Sequence, residues 1–184
     1  MKKISFKKSF CLTKNIYLKL VSQKDAKFIF KLRTNKKLGK YLNPTSSDYK
    51  DQIIWMKKYQ IRNNKKQEYY FKFQVKKNNK YNDIGVARII KLTKNSFSFG
   101  SWIMKPKSEI WYAMECALAI YKFAFEIIGF NKNIMWMDKR NKKVISFHKI
   151  TGAKEFKKDA KQIYAYLNKK MYFKLKKKFF YFYK

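Results

Sequence analysis

Gly100-Ser-Trp-Ile-Met-Lys-Pro-Lys-Ser-Glu-Ile-Trp-Tyr-Ala-Met-Glu115 is the stretch on which the fold turns. Its first residues complete an aromatic, β-rich run from Phe97 to Met104 that predicts a strand. Pro106 and Ser108 then open a helix over roughly 109–128, for which Gly129 is the natural stop. Along this helix Glu115, Lys122 and Glu126 fall at steps of seven and four, forming one narrow polar stripe on an otherwise apolar cylinder. Such a helix is buried on most sides and predicts packing against a sheet.

Working outward, two more runs precede the strand. Glu68 to Val75 alternates and is rich in aromatics, and Ile84 to Leu92 is β-rich around Gly85. Short turns at Asn78-Asn79-Lys80 and Lys94-Asn95 join the three into an antiparallel meander. Further upstream, 15–21 alternates as a strand, and Ser22 caps a helix whose apolar face is Ala26, Ile29 and Phe30. Leu38 to Leu42 predicts a short helical turn before Asn43-Pro44. Ser47-Asp48 opens a second helix that closes at Asn63-Asn64. Downstream, 133–137 predicts a strand, 141–150 an amphipathic helix ending before Gly152, and 161–167 a last strand. The Lys-aromatic tail from Met171 has no clear period. The order β-α-α-β-β-β-α-β-α-β describes one mixed α/β (α+β) domain, its sheet mostly antiparallel and flanked by helices. It spans 1–184, with a core at about 15–168 and a basic aromatic tail at 169–184.

Composition sets the class. The 184 residues are 46% hydrophobic and 19% aromatic, enough to fill a core despite a net charge of +35. Of 46 basic residues only four are Arg, at positions 33, 62, 88 and 140. Lys, Asn, Ile, Phe and Tyr are abundant and Arg, Gly, Ala and Pro scarce, which reads as A/T-rich codon usage expressed on solvated faces. A dedicated nucleic-acid reader favours Arg, so a basic nucleic-acid-binding protein is the competing class and not the first reading. The surface would still attract anionic ligands. Two cysteines, Cys11 and Cys116, make no disulfide framework, which fits a reducing cytoplasm. The opening Met1-Lys2-Lys3 is not followed by the apolar run of a signal peptide, and charges interrupt the apolar region 110–130, so no membrane span is expected.

Walker, dinucleotide, Gly-x-Ser-x-Gly and CxxC patterns are absent, and one His with two distant Cys makes a His/Cys zinc site improbable. What remains is the strand–loop–helix of 100–115 and a second segment, Asn141-Lys-Lys-Val-Ile-Ser-Phe-His-Lys-Ile-Thr-Gly-Ala153. Together with the element order they resemble the GNAT acyl-CoA N-acetyltransferase superfamily. The opening 18–33 is similar to the branch that holds ribosomal-protein and bacterial amino-sugar acetyltransferases.

The resemblance implies acetyl-CoA as cosubstrate, no metal, and transfer of acetyl to a primary amine. The strand before the long helix would pair with the pantetheine arm through Trp102, Ile103 and Met104. Amides at the helix start, around Lys107, Trp111, Tyr112 and Ala113, would hold the pyrophosphate, although Glu109 and Trp111 stand where the family usually has glycines. Asn141 matches a residue that contacts the CoA arm, and is equally a plain N-cap. Phe147 would pack near the cofactor. His148 stands where many members carry a tyrosine that protonates the leaving thiolate, and an imidazole titrating near 6.5 suits that role. Glu68, at the head of a meander strand, is the candidate general base.

For the acceptor, an amino group on a UDP- or dTDP-linked sugar of bacterial surface-glycan biosynthesis is preferred. A diphosphate suits a basic surface, and Tyr41, Trp55 and Tyr70 could stack on a base or sugar. The N-terminal amine of a protein of ribosomal type is the alternative, although a basic ribosomal N-terminus would be repelled by +35. A homodimer is left open.

Overall fold

The computed structural model describes residues 8–106, 108 and 110–183. The chain runs β1 (Phe10–Cys11), β2 (Ile16–Leu20), α1 (Ala26–Arg33), α2 (Tyr49–Asn64), β3 (Glu68–Lys77), β4 (Lys80–Lys91), β5 (Ser96–Met104) and α3 (Ile110–Lys122). It continues through β6 (Lys132–Asp138), α4 (Lys142–Ile150), β7 (Lys154–Lys158), β8 (Gln162–Asn168) and α5 (Lys169–Lys178). The strands form one sheet in the order β1-β2-β3-β4-β5-β6-β8-β7, antiparallel at every pair except β5–β6.

The predicted strands and main helices form near their expected places. Asp48 caps α2, its side chain accepting from the Lys50 amide at 2.8 Å. Three elements depart from the sequence reading. β1 is two residues long, too short for a pattern. β7 is exposed at all five positions, so no alternation marks it. The tail forms α5, whose Tyr172 and Leu175 are buried while lysines cover its other sides. Two further details differ: 38–42 forms turns without a helix, and the long helix passes into a π-helical stretch at Phe123–Ile128 before Gly129 ends it at φ 89°.

β3 is buried on both faces. Tyr69, Phe71, Phe73 and Val75 meet α3 in the larger core, and Tyr70 meets α1 and α2 in a second cluster with Ile29, Met56, Tyr59, Val86 and Ile103. The polar stripe of the long helix is only partly open to solvent, and each of its charges has a partner. Glu115 is fully buried and accepts from the Asn15 and Ile16 amides, Lys122 donates to Leu12 O, and Glu126 accepts from Lys176 and Tyr172. The stripe is where the helix docks the chain's own N- and C-terminal segments.

A bulge in β5 controls what the site sees. Val86 faces Ile103 and Arg88 faces Gly100, so β5 spends one residue more than β4 across that span. Ser101 takes up the difference with φ 48°. The alternation therefore changes phase: Phe97 and Phe99 face the α3 core before the bulge, and Trp102 and Met104 face it after. Gly85 lets β5 pass close by, since a Cβ there would lie 2.6 Å from Ile103 O.

Candidate active site

The parallel pair β5–β6 is joined at Ser96↔Lys132 and Phe97↔Asn133 only, and the strands then splay. Where pairing stops, the Asn133 side chain takes over, its Oδ1 accepting from the Phe99 amide at 3.1 Å. Among the described residues no strand covers this edge of β5 beyond Phe97, so its backbone is available to an extended ligand carrying amides. Phe147 of α4 reaches across to Trp102 of β5, edge to face at 4.9 Å. Around this wedge Trp102 Nε1 and His148 Nδ1 are buried without hydrogen-bond partners among the described residues. Buried donors and acceptors left open in this way fit a polar ligand that completes them.

The structure thus brings Trp102, Phe147 and His148 to one wedge. Met104 lies on the same face of β5 as Trp102, whereas the Ile103 side chain points into the α1/α2 cluster, leaving only its backbone for a ligand. Trp111 is exposed at the start of α3, next to Tyr112 and Ala113, and Lys107 lies outside the described residues. Asn141 caps α4, its Oδ1 accepting from Val144 N at 3.4 Å.

Two expected catalytic residues have surroundings that the sequence did not reveal. His148 is buried, and desolvation pushes its imidazole down to about 4, so at pH 7 the ring is neutral and not poised near 6.5. Glu68 is not a solvated strand end. It is buried between two guanidiniums, with Arg62 Nε on one oxygen and Arg88 Nε on the other, both at 2.7 Å. Each oxygen already accepts from a guanidinium. Glu68 is a counter-ion that fixes two arginines.

Arg88 borders a cavity of about 300 Å³ on the α1/α2 face. Its walls include Arg33 of α1, Gln52 and Trp55 of α2, Tyr70 of β3, Arg88 of β4 and Ser101 of β5. The β5 bulge brings Ser101 to this face, its Oγ 3.4 Å from Arg88 Nη1. Ser101 adjoins Trp102 in sequence, so the cavity and the wedge lie on opposite sides of one short stretch of strand. Trp55 carries the guanidiniums of Arg88 at 5.0 Å and Arg62 at 5.3 Å from its ring. Arg33 holds the loop after α1, its Nε donating to Thr45 Oγ1 at 2.7 Å and its Nη2 to Asn43 O at 3.0 Å. Of the expected acceptor aromatics Trp55 and Tyr70 line the cavity. Tyr41 does not, and its ring lies near Lys40 and Arg140 instead.

Sequence reasoning missed Arg33, Gln52, Arg88 and Ser101. A signal for two of them was present: in a chain with 42 Lys and four Arg, positions 33, 62 and 88 all fall in or behind this cavity. Among the described residues no cluster of His, Cys, Asp and Glu could hold a metal ion, and no helix is long and apolar enough to cross a membrane.

Comparison with known proteins agrees with this geometry. The profile of the acetyltransferase (GNAT) domain matches residues 15–154. The structure of apo FdhC, described as a nucleotide-linked sugar GNAT, is 34% identical with a TM-score of 0.84, covering 96% of this chain and 100% of its own. Spermidine N-acetyltransferase from Vibrio cholerae, in complex with CoA and spermine, is 18% identical with a TM-score of 0.69, covering 86% and 98%. Campylobacter jejuni N-acetyltransferase PseH in complex with acetyl coenzyme A is 22% identical with a TM-score of 0.63, covering 84% and 99%. At these lower identities the likeness is one of fold. No match was found among curated protein sequences.

Proposed function

Given that the chain belongs to the GNAT acetyltransferase family and is an acetyl-CoA-dependent N-acetyltransferase, we propose that its acceptor is the amino group of a nucleotide-linked amino sugar. The observation that carries this reading is the 34% identity, over nearly the whole of both chains, to a nucleotide-linked sugar GNAT. The arginine-lined cavity beside the wedge and the net charge of +35 support it, since both favour an anionic acceptor over a cationic one.

In the reaction the acceptor nitrogen attacks the thioester carbonyl, a C–N bond forms, the C–S bond breaks, the nitrogen sheds a proton, and the thiolate takes that proton up. The open edge of β5 from Gly100 to Met104 would align the pantetheine arm, with Asn141 and Phe147 flanking it and the amides of Trp111, Tyr112 and Ala113 toward the pyrophosphate. His148 is the proton donor in this reading. Neutral at pH 7, the imidazole first takes up the proton that the new amide nitrogen sheds, as thiolate charge develops next to it, and then passes it to the sulfur. Trp55 and Tyr70 form the sugar-facing wall.

The test is thiol release from acetyl-CoA with UDP- and dTDP-amino sugars, the product identified by mass. Acetyl-CoA alone should also stabilise the fold, by about 2.7 kcal/mol at ~100 times Kd. Faster acetylation of a ribosomal-protein N-terminal peptide than of any nucleotide sugar overturns the sugar reading.

A further inference from the structure

We propose that Arg33, Arg88, Gln52 and Tyr70 form a donor cradle that grips the diphosphate of the acceptor, so that the anion, and not the base, is what the protein reads first. This deepens the function proposed above and rests on it for the identity of the ligand. Three observations on this cavity carry it.

Its polar groups are donors left open. Gln52 Nε2 is buried without a partner, and the buried Tyr70 hydroxyl lies by the Arg33 guanidinium short of a well-formed hydrogen bond. Arg33 spends Nε and one terminal nitrogen on the 43–45 loop, and Arg88 spends Nε on Glu68, so each fork keeps capacity for a ligand.

The charges do not cancel. One carboxylate, Glu68, serves both Arg62 and Arg88, and Arg33 has no carboxylate partner among the described residues. The two cavity arginines repel each other, and burial with that repulsion lowers the Arg33 pKa. Asp51, exposed at the mouth, is the single acid in the lining. The acid is thus placed for the hydroxyls of a ligand whose oxyanions lie deeper.

The residue choice is selective. Lysine supplies a point charge and arginine a planar fork that matches phosphate oxygens. A chain that uses Lys for 42 of its 46 basic residues keeps Arg at both cationic positions of this lining. The volume of about 300 Å³ is at the small end for ligand pockets, so the nucleoside would rest outside on the surface.

The experiment is calorimetric titration of the full chain with inorganic pyrophosphate and with UDP, at high salt to suppress the diffuse surface charge. Variants are Arg33→Gln, Arg33→Lys, Gln52→Met and, as a charge control, Lys31→Gln on the exposed side of α1. Expected are one site per chain, affinity lower by ~10–100-fold in Arg33→Gln with no rescue by Lys, and a smaller loss in Gln52→Met without loss of melting temperature. Lys31→Gln should bind like the parent. CoA should leave pyrophosphate binding in place. The proposal is overturned if Arg33→Gln and Gln52→Met both bind like the parent, if Lys31→Gln weakens binding as much, or if CoA displaces the probe. Failure of the function is separable. Pyrophosphate bound in the cradle while no nucleotide amino sugar is acetylated sinks the function. Acetylation with an acceptor KM unmoved by Arg33→Gln and Gln52→Met sinks the cradle.

Discussion

β3 presents two surfaces built from alternate residues of Glu68-Tyr-Tyr-Phe-Lys-Phe-Gln-Val75, and they could hardly differ more. Toward α3 it offers Tyr69, Phe71, Phe73 and Val75, all buried, with the Phe71 ring edge-on to Phe123 at 4.8 Å. Toward α1 and α2 it offers Glu68, Tyr70, Lys72 and Gln74. There Lys72 reaches Asp25 at 2.7 Å and Asp83 at 3.0 Å, Gln74 holds Asp83, and Glu68 holds two arginines. The first surface is dry and makes stability by burial. The second is polar, its groups fixed by ion pairs, and it ends in a cavity with donors left open. Stability and recognition are thus divided between the faces of a single strand.

The largest effect that would sharpen this division is in the dry face. Phe71→Ala removes a fully buried ring and should cost about 3–5 kcal/mol, read as a lower denaturation midpoint, with acceptor KM unchanged in the folded fraction. A raised KM with little loss of stability would erase the distinction.

On the polar face Glu68→Gln leaves Arg62 and Arg88 without their shared counter-ion and should cost about 3 kcal/mol. If Glu68 acts only as counter-ion, kcat of the folded enzyme should fall by less than ~10-fold. A fall of ~10²-fold or more at unchanged stability would restore it as the base.

His148 belongs to the wedge, and its titration can be followed in stability. The unfolded imidazole takes a proton near 6.5, and the buried one resists until about 4. Stability should therefore drop as pH falls through that window, by roughly 3 kcal/mol in all. As the single His of the chain it can be isolated: His148→Gln should flatten this slope. If it donates the proton to the thiolate, kcat should also fall by ~10²–10⁴-fold with little change in acetyl-CoA KM.

The smallest effect lies where α5 docks. Burial alone would raise the Glu126 carboxyl, but hydrogen bonds from Lys176 and Tyr172 outweigh it and hold it below its ordinary value. That contribution is present above the unfolded pKa and lost as pH falls through the folded one. The pair is part-exposed, so Lys176→Ala should cost no more than ~1 kcal/mol at pH 7.

The elements that sequence exposed were those whose two sides differ or whose ends are punctuated: the meander, α2 behind Asp48, α3 ended by Gly129. What stayed hidden has physical reasons. β7 is exposed everywhere, so pairing with β8 gives it no pattern. The bulge at Ser101 depends on a register with β4 that only the folded sheet defines, and it is what turns the Ile103 side chain to the α1/α2 face. Glu68 reads as a solvated acid until Arg62 and Arg88, 6 and 20 positions away, converge on it. Trp55 and Tyr70 were legible as cavity residues because they are large and aromatic. Gln52 was not, because an amide on a helix reads as surface until its burial is seen.

Joined by two rungs at β5–β6, the sheet is in effect two ribbons, of five strands and of three, meeting at a seam. Side chains rather than ladder bonds carry much of the join: Asn133 stitches it at Phe99, and the Phe125 and Tyr172 rings stack at 5.1 Å between α5 and the turn of helix that precedes Gly129. A seam of this kind can widen or narrow without unzipping a strand, because few backbone bonds cross it. The molecule keeps each ribbon internally rigid and places its compliance along a single line, the line on which an extended guest would lie.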